Sequence, residues 1–358
     1  MKSSRSSYRF IYDIYSNWFD RYARNANMPK PRKTIVCLEA TPYYHCVSRC
    51  VRKAYLCGMD FTTKQSYEHR RAWVEEELLK QAKVFAIDIA AYAIMSNHYH
   101  VVLHINKQQA DNWSFDEVIE RWYSLYKGNA LSQRYLKSPD FSEAELLKLT
   151  EFVDKWRDRL MDLGWFIGRL NEFIARQANY EDKCTGRFWE GRFKSQALLD
   201  EKALAACLAY LDLNPVRANM AKTPEQSEHT SIKQRAEKAQ SAHSANHPKQ
   251  QVKTLMPFVG NPRNDMPHGL PFKLTDYLEL VELTGRVIRE DKRGYIENNL
   301  PPILQRLGIE SEQWLKMTTS FEKSFKSLVG NPSLMDTAIA LMGQKRRAGI
   351  KNCEALLT

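Results

Sequence analysis

The chain has 358 residues, of which 43% are hydrophobic and 27% charged, and it carries a formal net charge of +11. That is enough apolar material for one large or two ordinary cores, which excludes a wholly disordered polyion, and a basic, aromatic-containing chain favours a polyanionic partner such as nucleic acid. The longest apolar stretch, Val84–Met95, is interrupted by Asp88 and too short to cross a bilayer, and no signal-peptide core heads the chain, so no membrane partner is expected. Seven cysteines, an odd number without a Cys-x-x-Cys pair, read as reduced thiols of a cytoplasmic protein.

Residues 1–35 are basic and aromatic without clear period, an N-terminal extension in which Met28 heads a more ordinary-looking start. Tyr43–Val51 reads as a strand, and Thr63–Lys83 as an amphipathic helix with Trp73, Val74, Leu78, Leu79 and Ala82 on its apolar side. Ala86–Met95 and His98–Ile105 follow as two strands joined at Ser96-Asn97. This order predicts an α+β fold, an antiparallel sheet with helices packed on one face.

From 112 to 180 the periodicity is helical (Phe115–Tyr126, Ser142–Leu163, Trp165–Gln177), a helical insertion within a catalytic domain spanning 36–222. Residues 223–252 are poor in apolar residues and read as a flexible linker. Periodicity returns over 253–358 (Leu274–Glu290, Ile303–Leu315, Phe321–Leu328, Leu334–Met342), predicting a separate helical accessory domain.

The most informative feature is His98-Tyr99-His100. On a strand, side chains at i and i+2 leave the same face, so the two imidazoles point one way and Tyr99 the other. Two neutral imidazoles can share one cation and leave positions open for a third ligand and a substrate oxygen. His104 falls on the same nominal face farther along, as a structural or DNA-contacting residue, and His45 either faces the site from the adjacent strand or packs behind it.

A helix opened by Asp200 as N-cap ends near Asn214-Pro215 and carries an apolar stripe of Leu204, Leu208 and Leu211. Tyr210 and Asn214, four apart, stack on one side beside that stripe, a phenol and a carboxamide projecting together. An amide oxygen is a hard donor of the kind Mg²⁺ and Mn²⁺ prefer.

These residues carry a resemblance. His98-Tyr99-His100 resembles the HUH motif, two histidines around a hydrophobic residue. The run Arg-Phe-Trp-Glu-Gly-Arg-Phe-Lys-Ser (187–195), followed by Ala-Tyr-Leu-Asp-Leu-Asn-Pro-Val-Arg-Ala (209–218), resembles the signature of REP-associated tyrosine transposases. Tyr44-His45-Cys46-Val47-Ser48-Arg49 is similar to their first-strand pattern. The resemblance covers roughly 40–222 and names a group within the single-tyrosine HUH transposases.

It implies an HUH nuclease, ferredoxin-like core and DNA transposition: metal-dependent cleavage and strand transfer of single-stranded DNA at hairpin-forming repeats, through a 5′-phosphotyrosine intermediate. By the family pattern Tyr210 is the nucleophile, and His98, His100 and Asn214 hold a divalent cation, Mg²⁺ or Mn²⁺; related subfamilies place Gln where Asn214 stands. No Walker-type loop is present, in keeping with chemistry that needs no nucleotide.

Arg49, Arg52, Arg187, Arg192 and Lys194 surround these motifs, interleaved with Phe188, Trp189 and Phe193, which suits phosphate contact with base stacking. The plainer reading makes the aromatics core and the charges a solvated face, and Phe188 or Trp189 is expected to be buried. The cluster Lys345-Arg346-Arg347 is either a further DNA contact or simply solvated.

A histidine-triad hydrolase would want a third histidine where Val102 stands, and the 187–218 signature argues against a plasmid relaxase. The competing reading from another class is a domesticated, non-cleaving DNA-binding regulator. The DNA target, and whether the protein acts as a monomer or a homodimer, stay open.

Overall fold

Alternation along His98–Ile105 decides the sheet, because it sends the histidines to one face and Tyr99, Val101 and Leu103, all fully buried, to the other. The computed structural model describes residues 36–51, 56–60, 64–138, 140–289, 301–344 and 348–358. The N-terminal extension 1–35, Arg52 and Lys345-Arg346-Arg347 lie outside the described residues.

Among the described residues five strands form one sheet: β1 (Tyr43–Arg49), β2 (Ile87–Ile94), β3 (His98–Ile105), β4 (Lys194–Leu198) and β5 (Leu328–Val329), in the order β2-β3-β1-β4-β5. All neighbours pair antiparallel except β4 and β5, which are parallel. The hairpin between β2 and β3 closes as expected at Ser96-Asn97, with the Met95 N–H donating to the His98 carbonyl at 2.9 Å.

Helices cover both faces, not the single face expected from the sequence. Helix α1 (Arg70–Ala82) is shorter than predicted. After β3 come α2 (Lys107–Asn112), α3 (Phe115–Tyr123), α4 (Ala130–Tyr135), α5 (Glu143–Leu160) and α6 (Leu163–Glu181). The region read as an insertion therefore supplies the layer beneath Tyr99, whose hydroxyl donates to Asn171 Oδ1 of α6 at 2.7 Å. Asn171 Nδ2 donates in turn to Ser48 Oγ at 3.0 Å, tying that helix to β1.

The opposite face is covered by α7 (Glu201–Asp212), followed by the short α8 (Asn214–Arg217). Asp200 caps α7 as predicted, its carboxylate accepting from Ala203 N at 2.8 Å. Every residue of α7 from Ala203 to Asp212 is buried, and so are Leu204, Leu208 and Leu211 of the expected stripe. A helix buried all round needs a second partner on its outer side. That partner comes from the far end of the chain.

Residues beyond 222 form α9 (Ser231–Ser241), α10 (Leu274–Ile288), α11 (Pro302–Leu307), α12 (Ser311–Ser324), α13 (Pro332–Leu341) and α14 (Ile350–Leu357). The predicted helix Ile303–Leu315 is two helices, because Gly308 adopts the left-handed conformation (φ 59°) that ends α11. Helix α12 packs on α7, placing Phe321 beside Tyr210 at 5.8 Å between ring centroids.

Two expectations about organisation meet a different arrangement here. The stretch 223–252, read as a flexible linker, contains α9 and meets the outer edge of β2, where Ile94 N donates to the His229 carbonyl at 3.3 Å; just beyond this stretch, Met256 N donates to the Ile89 carbonyl at 2.8 Å. Residues 253–358, read as a separate domain, lend β5 to the sheet and α12 to the cover of α7, within one compact unit from Cys37 to Thr358. Low local apolar content concealed this, because the segment satisfies sheet-edge backbone groups with its own backbone.

Candidate active site

Strand register assembles one polar face. His98 lies opposite Arg49, His100 opposite Val47, and His45 opposite Val102 on one side and Gln196 on the other, while Lys194 is opposite Val47. Residues directly opposed in antiparallel strands share a face. Arg49, His45, His98, His100, Lys194 and Gln196 therefore all project towards α7.

The two predicted ligands meet at 4.8 Å between ring centroids, and the ring of Tyr210 stands edge-on to His100 at 5.7 Å. His100 is fully buried and Tyr210 is 8% exposed. The structure thus brings His98, His100 and Tyr210 together from β3 and α7, elements about a hundred residues apart in the chain.

Burial keeps these imidazoles neutral. It holds His98 down to about 4, helped by the Arg49 charge, and His45 likewise to about 4; His100 is driven well below its ordinary value by burial and by its histidine neighbours. His98 Nδ1 donates to Asn97 Oδ1 at 2.5 Å, which leaves its Nε2 without a proton. His100 Nδ1 lies 2.9 Å from His45 Nε2, whereas His100 Nε2 is buried with no hydrogen-bond partner among the described residues. An unpaired buried lone pair is unfavourable unless something fills it, and a divalent cation is a fitting occupant for an imidazole nitrogen.

Asn214 is buried next to Tyr210, and its Oδ1 accepts from an Arg217 N–H at 2.9 Å, while its Nδ2 has no hydrogen-bond partner among the described residues. Arg217 thus takes one of the two lone pairs of that oxygen and leaves one for another contact. The same guanidinium donates to the Thr318 carbonyl of α12 and lies over the Tyr210 ring, 4.0 Å from its centroid. Burial raises the Tyr210 phenol above its usual range, and Arg217 offsets part of that through its charge and a hydrogen bond.

Of the predicted basic residues, Arg49 is half-buried on the histidine face, and Arg187, Arg192 and Lys194 are exposed. Lys194 pairs with Glu322 of α12 at 3.4 Å. Phe188 and Trp189 are buried, as expected for at least one of them. Trp189 donates its indole N–H to the Asn171 carbonyl at 2.8 Å, so this ring serves the fold.

Three residues escaped the sequence reading. Arg217 stands inside the quoted run 209–218, and its place seven residues after Tyr210, two helical turns on, was a usable signal. Gln196, two residues after Lys194 on β4, could have been found by alternation. Glu322, whose negative charge acts on His45, His98 and Tyr210, had no local signal at all.

Farther along β3, Asp88, His104 and His268 form a second cluster whose ligand atoms lie within 4.8 Å of one another and could hold a metal ion. Asp88 Oδ2 accepts from His104 Nδ1 at 3.0 Å and from His268 Nε2 at 2.7 Å. These three groups satisfy one another by hydrogen bonding, in contrast to the unpartnered nitrogen of His100.

No protein-family model matches this chain, and no curated protein matches it. Among solved structures, one described as a REP-associated tyrosine transposase bound to a REP hairpin is 10% identical, covers 55% of this chain and 79% of that chain, and gives a TM-score of 0.33. So slight an overlap carries no structural argument. No described helix is long and apolar enough to cross a membrane.

Proposed function

We propose that this protein cleaves and rejoins single-stranded DNA, with Tyr210 as nucleophile and a divalent cation, Mg²⁺ or Mn²⁺, held by His98, His100 and Asn214. One observation carries the reading: the Tyr210 ring lies against His100, whose buried Nε2 has no hydrogen-bond partner among the described residues. The residue motifs of the sequence point the same way, towards the chemistry of REP-associated tyrosine transposases acting on hairpin-forming repeats.

When bound, the cation supplies Lewis-acid polarisation of the scissile phosphate. The chain's own groups do the rest. Tyr210 oxygen bonds to phosphorus as the bond to the 3′-oxygen breaks; the phenol loses a proton and the departing 3′-oxygen gains one, so the exchange is neutral overall. Arg217, beside the phenol, favours its ionised form, and Arg49 on the same face balances phosphate charge. The resulting 5′-phosphotyrosine keeps the energy of the phosphodiester, so a second 3′-hydroxyl can reverse the step and join a new strand.

The test is a labelled single-stranded hairpin oligonucleotide incubated with protein and Mn²⁺. A covalent protein–DNA adduct is expected from the wild type and not from Tyr210→Phe. An adduct that persists in that variant removes Tyr210 from the nucleophile's role, and tight binding with no adduct in the wild type favours the non-cleaving regulator instead.

A further inference from the structure

We propose that Gln196 and His45 are positioning residues that lock His100 into a single tautomer, Nδ1–H with a bare Nε2, so that this nitrogen is presented to the cation; the inference rests on the cation reading above. The lock is set by main-chain carbonyls of the C-terminal segment.

The chain of contacts can be followed atom by atom. Gln196 Nε2 donates to the carbonyls of Phe325 at 3.0 Å and Lys326 at 2.9 Å. Turned the other way, the amide would set its oxygen against two carbonyl oxygens, so the orientation is fixed. Gln196 Oε1 then faces His45 Nδ1 at 2.7 Å, and because it can only accept, that nitrogen carries a hydrogen.

A neutral imidazole has one hydrogen, so His45 Nε2 is an acceptor. It lies 2.9 Å from His100 Nδ1, the two ring planes being 12° from parallel, and an acceptor at that distance puts the N–H on His100 Nδ1. His100 Nε2 is left bare, and it is the buried nitrogen that lacks a partner. The competing protonation would make His45 an imidazolium, fully buried and with no carboxylate hydrogen-bonded to it among the described residues.

The consequence reaches beyond the two histidines. Phe325 and Lys326 stand next to β5, whose pairing with β4 brings them to Gln196. Through these two carbonyls the C-terminal segment acts on the candidate metal site by way of Gln196 and His45, and an outer partner of this kind ordinarily changes metal affinity about 10–100-fold.

The experiment uses the full chain with ¹⁵N-labelled histidine. In metal-free wild type, long-range ¹H–¹⁵N correlation is expected to show His100, assigned by the loss of its signals in His100→Gln, with a protonated Nδ1 and an unprotonated Nε2. Gln196→Met, checked for folding by thermal unfolding, is expected to mix the two tautomers and weaken Mn²⁺ binding about 10–100-fold. His45→Leu should do the same. His45→Gln, whose amide can both accept from His100 and donate to Gln196, should recover most of the loss, which mere packing would not explain.

A proton on His100 Nε2 in the wild type, or unchanged His100 signals and Mn²⁺ affinity in Gln196→Met, overturns the positioning role while leaving the cation reading intact. The expected tautomer together with no Mn²⁺ uptake by the wild type sinks the cation reading, and with it the purpose assigned to the lock.

Discussion

Arg217 lies over the ring of Tyr210, its guanidinium carbon 4.0 Å from the ring centroid, and the same side chain grips Asn214 Oδ1 and the Thr318 carbonyl. A cation fixed from three sides beside a phenol favours the phenolate without having to reorganise. Arg217→Met keeps comparable bulk and loses the charge. Adduct formation is expected to fall about 100-fold, with its pH dependence displaced to the alkaline side because burial then acts on Tyr210 unopposed. Adduct rate measured against pH checks this; an unchanged profile removes Arg217 from the chemistry.

Metal removal is expected to separate binding from cleavage. With EDTA the adduct should vanish while hairpin binding persists, because the exposed Arg187, Arg192 and Lys194 do not depend on the histidine pair. Electrophoretic mobility and adduct yield on the same samples give both readings, and Mn²⁺ in excess of chelator should restore the adduct.

Acid should destabilise the fold through the buried histidines. His45 and His98 are held at about 4 in the folded state against an ordinary value of 6.5. Between those limits the unfolded chain binds protons that the native state refuses, so stability is complete above about 6.5 and declines as pH falls towards 4. The decline is at most about 3 kcal/mol for each group. Urea unfolding at a series of pH values should show it, and His45→Gln should flatten the slope.

A chain ended after residue 252 should not fold. It loses β5, the α12 cover over α7 and the carbonyls that hold Gln196, as well as Tyr277, whose hydroxyl donates to the buried Asp212 at 2.5 Å. Near-ultraviolet circular dichroism and dye binding are expected to report a loosely packed state. A cooperative, native-like truncation would show that 37–252 is self-sufficient.

Tyr99 offers a control for Tyr210. Its hydroxyl bonds Asn171 on the far face of the sheet. Tyr99→Phe should cost about 1–3 kcal/mol by leaving that amide oxygen short of a partner, yet leave adduct formation unchanged. Unfolding midpoints and adduct yield measured together decide it.

Much of this architecture could be read from local pattern. Period-two alternation placed His98 and His100 on one face and Tyr99 on the other, and the Asp200 cap with the leucine stripe placed α7, because backbone geometry ties those periods to direction regardless of what packs nearby. What lay beyond local pattern was who covers what. The layer beneath Tyr99 comes from the supposed insertion, the β2 edge from the supposed linker, and the outer cover of α7 from the supposed accessory domain.

The sequence by itself determined the donor inventory: which residues carry imidazole, phenol, amide and guanidinium, and which of them share a strand face or a helix side. Only the tertiary structure decided which lone pairs are spent and which are spare. Hydrogen-bond partners of His100 and Gln196 come from segments tens to more than a hundred residues away, and no spacing along the chain encodes such contacts.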